Sequence, residues 1–185
     1  LSAALQTLTR LIHSPFDIEA LELDADGSLW VRLGGLAAAL PDRMQQLLQF
    51  VGAGQGISDD ESIWAERAAL AFVPAGVTLV KVPITPKQIL SFDRTLAAAG
   101  CQRWYSMAGN LAWVAWQPLL TDLDTALQRL GLGGLVVQGA PNTFPLLGRT
   151  PNPTFIQLVS QALDPDGRFL PLLPLQPSGE LAHAS

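Results

Sequence analysis

A chain of 185 residues with a net charge of −5, its Lys and Arg scattered singly, lacks the basic footprint that binds phosphate backbones or anionic membrane surfaces. The apolar fraction is 49% and the charged fraction only 15%, which fits either a wide core or a surface that normally lies against something else. The longest apolar run, 68–82, is interrupted by Pro74 and Gly76, so no direct membrane insertion is expected. Cys101 stands alone, which excludes an internal disulfide and suits a reducing, cytoplasmic compartment.

The opening Leu1-Ser2-Ala3-Ala4 has no initiator Met and no signal-peptide pattern, and reads as cut from something longer. Residues 1–12 carry Leu5, Leu8, Leu11 and Ile12 at helical spacing; residues 1–15 read as an interdomain helix and linker. Residues 17–23 and 28–33 read as a hairpin punctuated by Asp26-Gly27. Pro41 then opens a helix bearing Leu40, Met44, Leu47, Leu48 and Val51.

After the loop 52–56, Ser58 and Glu61 have the spacing of a capping box, which predicts a helix running to Leu70. Residues 77–84 alternate as a strand, and Thr85-Pro86-Lys87-Gln88 caps a helix with Ile89, Phe92 and Leu96 on one side, ended by Gly100. Residues 102–107 and 111–116 are strands, Thr121 caps a helix closed by Gly131, and residues 135–138 form a short strand. Residues 140–153 read as a Pro-rich loop, and the next helix carries Phe155, Leu158, Val159, Ala162 and Leu163.

From residue 77 to 138 the order is strand, helix, strand, strand, helix, strand. This is the order of a ferredoxin-like α+β unit, an antiparallel sheet with helices on one face, here extended by the N-terminal hairpin. The main domain is read as residues 16–171, followed by a poorly ordered Pro-rich tail, 172–185.

Chemistry is sparse. The glycine runs at 52–56 and 131–134 follow helices rather than open them, so they read as caps and turns, not phosphate cradles. His13 and His183 lie near opposite ends, and no metal site is expected. Cys101, with no basic neighbour closer than Arg103, reads as a small core residue. The acidic run Asp59-Asp60-Glu61 is explained by a helix N-terminus.

The five tryptophans are many for such a chain. Trp104 and Trp116 fall on neighbouring strands, where they serve a core or wall a flavin or small substrate. Arg32 and Lys81, each flanked by apolar residues, belong to the solvent face or point at an anionic ligand such as a carboxylate.

Three stretches carry a family resemblance. Residues 20–23 with 29–35 (Leu-Trp-Val-Arg-Leu-Gly-Gly), residues 78–83 around Lys81, and Asp164-Pro165-Asp166-Gly167-Arg168-Phe169-Leu170-Pro171 resemble parts of the C-terminal cap domain of FAD-linked oxidases. The last resembles the family's closing Asp-Pro-x-Gly-x-x-Asn-Pro-Gly. Among these oxidases the chain looks most like the FAD-binding subunit of glycolate oxidase.

The resemblance implies a cap over a flavin held by a separate N-terminal domain, and oxidation of a small 2-hydroxy acid, glycolate, to glyoxylate. It also implies partners: a catalytic flavoprotein subunit and an iron–sulfur subunit, in a cytoplasmic complex with room for peripheral contact to the inner membrane. Trp116, Gly167 and Leu170 would face the cofactor, and Arg32 and Lys81 the substrate. Leu170 stands where the family has Asn, and Leu172 where it has Gly, so the side-chain hydrogen bond of that Asn is lost. The alternative reading is a ferredoxin-like ligand-binding or protein-interaction module with no redox role.

Overall fold

The computed structural model describes residues 1–139, 145–150 and 152–168. It is an α+β structure with one open, antiparallel, seven-stranded sheet and six α-helices among those residues. The strands are β1 (Ile18–Asp24), β2 (Leu29–Leu33), β3 (Thr78–Pro83), β4 (Gln102–Ser106), β5 (Leu111–Trp116), β6 (Gly133–Gln138) and β7 (Leu146–Gly148), in the order β2-β1-β4-β5-β3-β6-β7. The β1–β2 hairpin joins the sheet through β4, where Leu23 faces Tyr105 and Asp24 faces Trp104. The helices are α1 (Ser2–Ile12), α2 (Leu40–Val51), α3 (Glu61–Ala68), α4 (Pro86–Ala98), α5 (Leu120–Leu130) and α6 (Pro153–Leu163).

One face of the sheet carries the main core. Leu5, Leu8 and Leu11 of α1, Leu47 of α2, Ile89, Phe92 and Leu96 of α4, and Leu123 and Leu127 of α5 meet Leu21, Leu23, Val80, Val82, Tyr105, Val114 and Trp116 of the sheet. Each fully buried side chain of this size contributes roughly 1.5–3 kcal/mol by leaving water. The stripe of α1 is therefore covered within the chain itself.

Local chemistry explains most of the boundaries. Pro41 sits in the first turn of α2, and Gly52 takes the left-handed conformation (φ 81°) that closes that helix. At α4, the Gln88 side chain reaches back to accept from the Thr85 N–H (3.1 Å) and hydroxyl (2.8 Å). Three expectations are corrected. The helix after the glycine loop begins at Glu61 and ends at Ala68, with no side-chain cap; Asp60 gives its carboxylate to Arg32 instead. Thr121 lies inside α5, whose capping position is Leu119. The stretch expected to be all loop contains β7, paired with β6.

β7 was invisible because it is three residues long and is held from outside. The Gly148 N–H donates to the Asp124 carboxylate of α5 at 2.6 Å. Gly148 is left-handed (φ 70°), and a Cβ there would meet the Leu132 carbonyl oxygen at 2.3 Å. Only glycine meets both demands.

The helices are not all on one face. α3 lies across the other, where its Arg67 bonds Glu22 and Asp24 of β1. Phe72, just beyond α3, packs on Trp104 (ring centroids 4.4 Å apart). Among the described residues no helix is long and apolar enough to cross a membrane.

Candidate functional site

Cross-strand pairing decides which side chains share a surface. Opposite residues are Ala20 and Arg32, Glu22 and Trp30, Asp24 and Trp104, Trp104 and Trp113, and Lys81 and Trp113. These pairs share one face over β2, β1, β4, β5 and β3, the face away from the main core, with Asp24, Trp104, Trp113 and Lys81 in a single row. The face carries Arg32, Lys81 and three of the five tryptophans; Trp64 of α3 comes down on it from above.

The face has a cationic and aromatic texture. Arg67 lies over the rings of Trp30 (4.8 Å) and Trp104 (5.7 Å), Arg32 over Trp64 (5.7 Å), and Lys81 Nζ over Trp113 (5.8 Å). Such contacts stabilise by about 0.5–1 kcal/mol when exposed and more when dry. Between α3 and the sheet they line a solvent-open cavity of about 390 Å³, bordered among others by Arg32, Trp64, Trp104, Ser106 and Trp113.

The two arginines at this cavity are employed differently. Arg67 is nearly buried, with Nη1 on Glu22 (2.8 Å) and Nη2 on Asp24 (2.8 Å). Burial pushes the Glu22 carboxyl above its ordinary value, despite the Arg67 hydrogen bond and charge; the neighbouring Asp24 adds to the rise. Burial pulls the Arg67 guanidinium down, but hydrogen bonds and charge from Asp24 and Glu22 outweigh it and leave it above its usual range. Arg67 is thus a structural pin.

Arg32 is half-exposed and meets Asp60 as an ion pair (Nε to Oδ2, 3.2 Å). It donates no hydrogen bond among the described residues. Lys81 has its cation–π contact and no ion pair among the described residues.

The hydroxyl and indole groups below complete the site. Trp113 donates its indole N–H to the Ser106 hydroxyl (3.1 Å), and Trp30 donates to Asp24 (2.7 Å). The Trp104 N–H is buried without an acceptor among the described residues. Leu70, which also lines the cavity, has φ +55°, an uncommon conformation for a bulky residue.

The other expected site residues fall elsewhere. Trp116 is buried on the core face, its indole N–H donating to the Leu119 carbonyl at 3.0 Å. It lies on the opposite side of the sheet from Arg32 and Lys81. Gly167 forms a left-handed turn after α6, its N–H donating to the Asp164 carbonyl, and a Cβ there would meet nothing within 4 Å among the described residues. Leu170 lies outside the described residues. Cys101 is buried, and burial raises its thiol above the ordinary value, in keeping with a small core residue.

Trp113 is the residue that sequence reasoning undervalued, although its signal was present. The loop 107–110 pairs Ser106 with Leu111 and therefore Trp104 with Trp113, not with Trp116. Arg67 had no such signal, since nothing local says where α3 will dock.

No family model, curated protein or solved structure matches the chain. Among the described residues no cluster of His, Cys, Asp or Glu is placed to hold a metal ion.

Proposed function

We propose that this chain is the cap domain of an FAD-linked oxidase of the glycolate oxidase type, lying over a flavin carried by a separate domain. The observation that carries the reading is the shared face: Arg32 and Lys81 stand on one side of the sheet with Trp30, Trp104 and Trp113. A cap needs such a side, flat and aromatic enough to exclude water and cationic enough to hold a carboxylate. Strands β3 to β6 with α4 and α5 have the ferredoxin-like order, and the β1–β2 hairpin widens the sheet.

The described glycines form turns and close approaches rather than a pyrophosphate cradle, so the flavin's phosphates would be held by the other domain. FAD would supply the two-electron chemistry that turns a 2-hydroxy acid into a 2-oxo acid. The residues of this chain would bind and orient: Arg32 and Lys81 on the carboxylate, the tryptophans against water. Arg67, already consumed by Glu22 and Asp24, would hold α3 in place. The iron–sulfur and catalytic flavoprotein subunits of a glycolate oxidase complex would be its partners.

The test begins with the product of the natural reading frame that contains this chain. Acid denaturation of that protein should release FAD. A flavin-free product retires the oxidase reading and leaves the second one, a ferredoxin-like ligand-binding module. In the flavoprotein, Arg32→Ala and Lys81→Ala should each raise KM for glycolate roughly tenfold or more, the scale of a lost charge-assisted hydrogen bond, with little change in kcat. Unchanged kinetics would remove both cations from the substrate site.

A further inference from the structure

We infer that the cavity between α3 and the sheet is a binding site for an aryl carboxylate, a ligand larger than glycolate. The inference goes beyond the flavin reading and stands without it. Its first support is size. A cavity of about 390 Å³ falls within the range, roughly 300–1,000 Å³, that takes multi-atom organic ligands. An acid as small as glycolate would leave most of it to water.

The second support is the lining. Trp64, Trp104 and Trp113 give the cavity three indole surfaces, which match a planar ring better than an aliphatic chain.

The third support is unused hydrogen-bonding capacity. Arg32 lines the cavity with a guanidinium whose Nε lies 3.2 Å from Asp60 and which donates no hydrogen bond among the described residues. Its planar fork remains open to a carboxylate. Trp104 is more than nine-tenths buried, and its N–H, itself closed to solvent, finds no acceptor among the described residues. A buried donor in that state is destabilising until something accepts from it. Ser106 is likewise buried at the cavity, accepts from Trp113, and donates its own proton to nothing among the described residues. The Ser106 hydroxyl and the open N–H groups of Arg32, both at the cavity, call for a ligand with acceptor oxygens.

The cleft opens to solvent, so a ligand reaches it without displacing α3, whose attachment is nonetheless light. None of its eight residues is buried, and side chains at its start and end are tied by ion pairs, Asp60 to Arg32 and Arg67 to Glu22 and Asp24. A ligand carboxylate would take Arg32 from Asp60, the single exposed pair of the set. The weakest fastening of α3 is thus the one that a ligand competes for directly.

The experiment follows the five indole N–H resonances of the 15N-labelled full chain by NMR, using phenyllactate, phenyllactamide and glycolate as probes. Phenyllactate should move the resonances of Trp64, Trp104 and Trp113 and leave that of Trp116 in place. The neutral amide should bind at least about tenfold more weakly, as should phenyllactate to the Arg32→Gln variant. Arg32 is half-exposed, so that variant keeps the fold. Trp104→Phe identifies its resonance and should also weaken binding.

The inference is overturned if phenyllactate moves none of the three at about 10 mM, a concentration that reveals even millimolar affinity. It is equally overturned if the amide binds as well as the acid, or if Arg32→Gln changes nothing. Binding in a protein whose natural form carries no FAD would retire the oxidase reading and keep this site. A flavoprotein with no such binding would do the reverse.

Discussion

Asp93 shows how one residue settles the use of several others. It projects from α4 into the sheet's covered face, where its carboxylate takes two bonds from Arg103 (2.7 and 2.9 Å) and one from the Tyr105 hydroxyl (2.7 Å). Burial, then the adjacent carboxylate, pushes the Tyr105 phenol far above its ordinary value. A raised folded-state value stabilises fully below the unfolded value near pH 10, and the contribution is lost as pH rises beyond it. Tyr105→Phe should therefore cost about 1 kcal/mol at neutral pH. It should also lose less stability than the parent above pH 10, because the unfolded phenol no longer ionises. Urea melts at neutral pH and at alkaline pH would show this; parallel losses in both proteins would refute it.

Among elements, α1 and α3 are opposites. α1 buries Leu5, Leu8 and Leu11 in the main core, Leu8 completely. Leu8→Ala should cost about 2–5 kcal/mol, measured by equilibrium unfolding, and a cost below 1 kcal/mol would mean that α1 is only loosely attached. α3 has no buried residue and depends on Arg67. Removing that cation strands two carboxylates, so Arg67→Ala should cost about 3–5 kcal/mol. Its loss should also free α3 first, which hydrogen exchange in residues 61–68 would report. Uniform exchange across the chain would count against a separable α3.

At the scale of the whole molecule, the apolar surface is unevenly covered. Phe155, Leu158 and Leu163 of α6 are exposed at 61%, 61% and 77%, while the rest of the helix carries no charge. Patches of this kind on an otherwise folded protein favour association. The full chain should therefore self-associate as concentration rises, and Phe155→Ser with Leu158→Ser should suppress this. Stability should change by less than about 0.5 kcal/mol for each exposed substitution. Sedimentation velocity would decide the matter: a monomer at every concentration would show that the stripe is inert. The same exposure fits a domain that normally lies against another, as the cap reading requires.

Much of this architecture was legible from neighbouring residues alone. Periodicity located α1, α2, α4 and α5, Gly52 and Gly131 marked helix ends, Thr85 and Gln88 marked a start, and Asp26-Gly27 marked the hairpin. These properties depend on a few consecutive residues, so any stretch of chain reports them. What a strand or carboxylate meets across space was not legible. Asp60, expected only within the acidic first turn of a helix, pairs with Arg32, β7 formed on contacts from Asp124, and Trp113 rather than Trp116 joined Trp104.

The site belongs to this second class. That Arg32 and Lys81 are cations on strands was determined by the sequence itself, because a local pattern suffices for a strand. That they share a face with Trp30, Trp104 and Trp113, and that α3 folds over them to leave a cavity, was decided only by tertiary structure. A one-residue change in register would have turned each to the opposite side, and register is set by pairings between residues far apart in the chain.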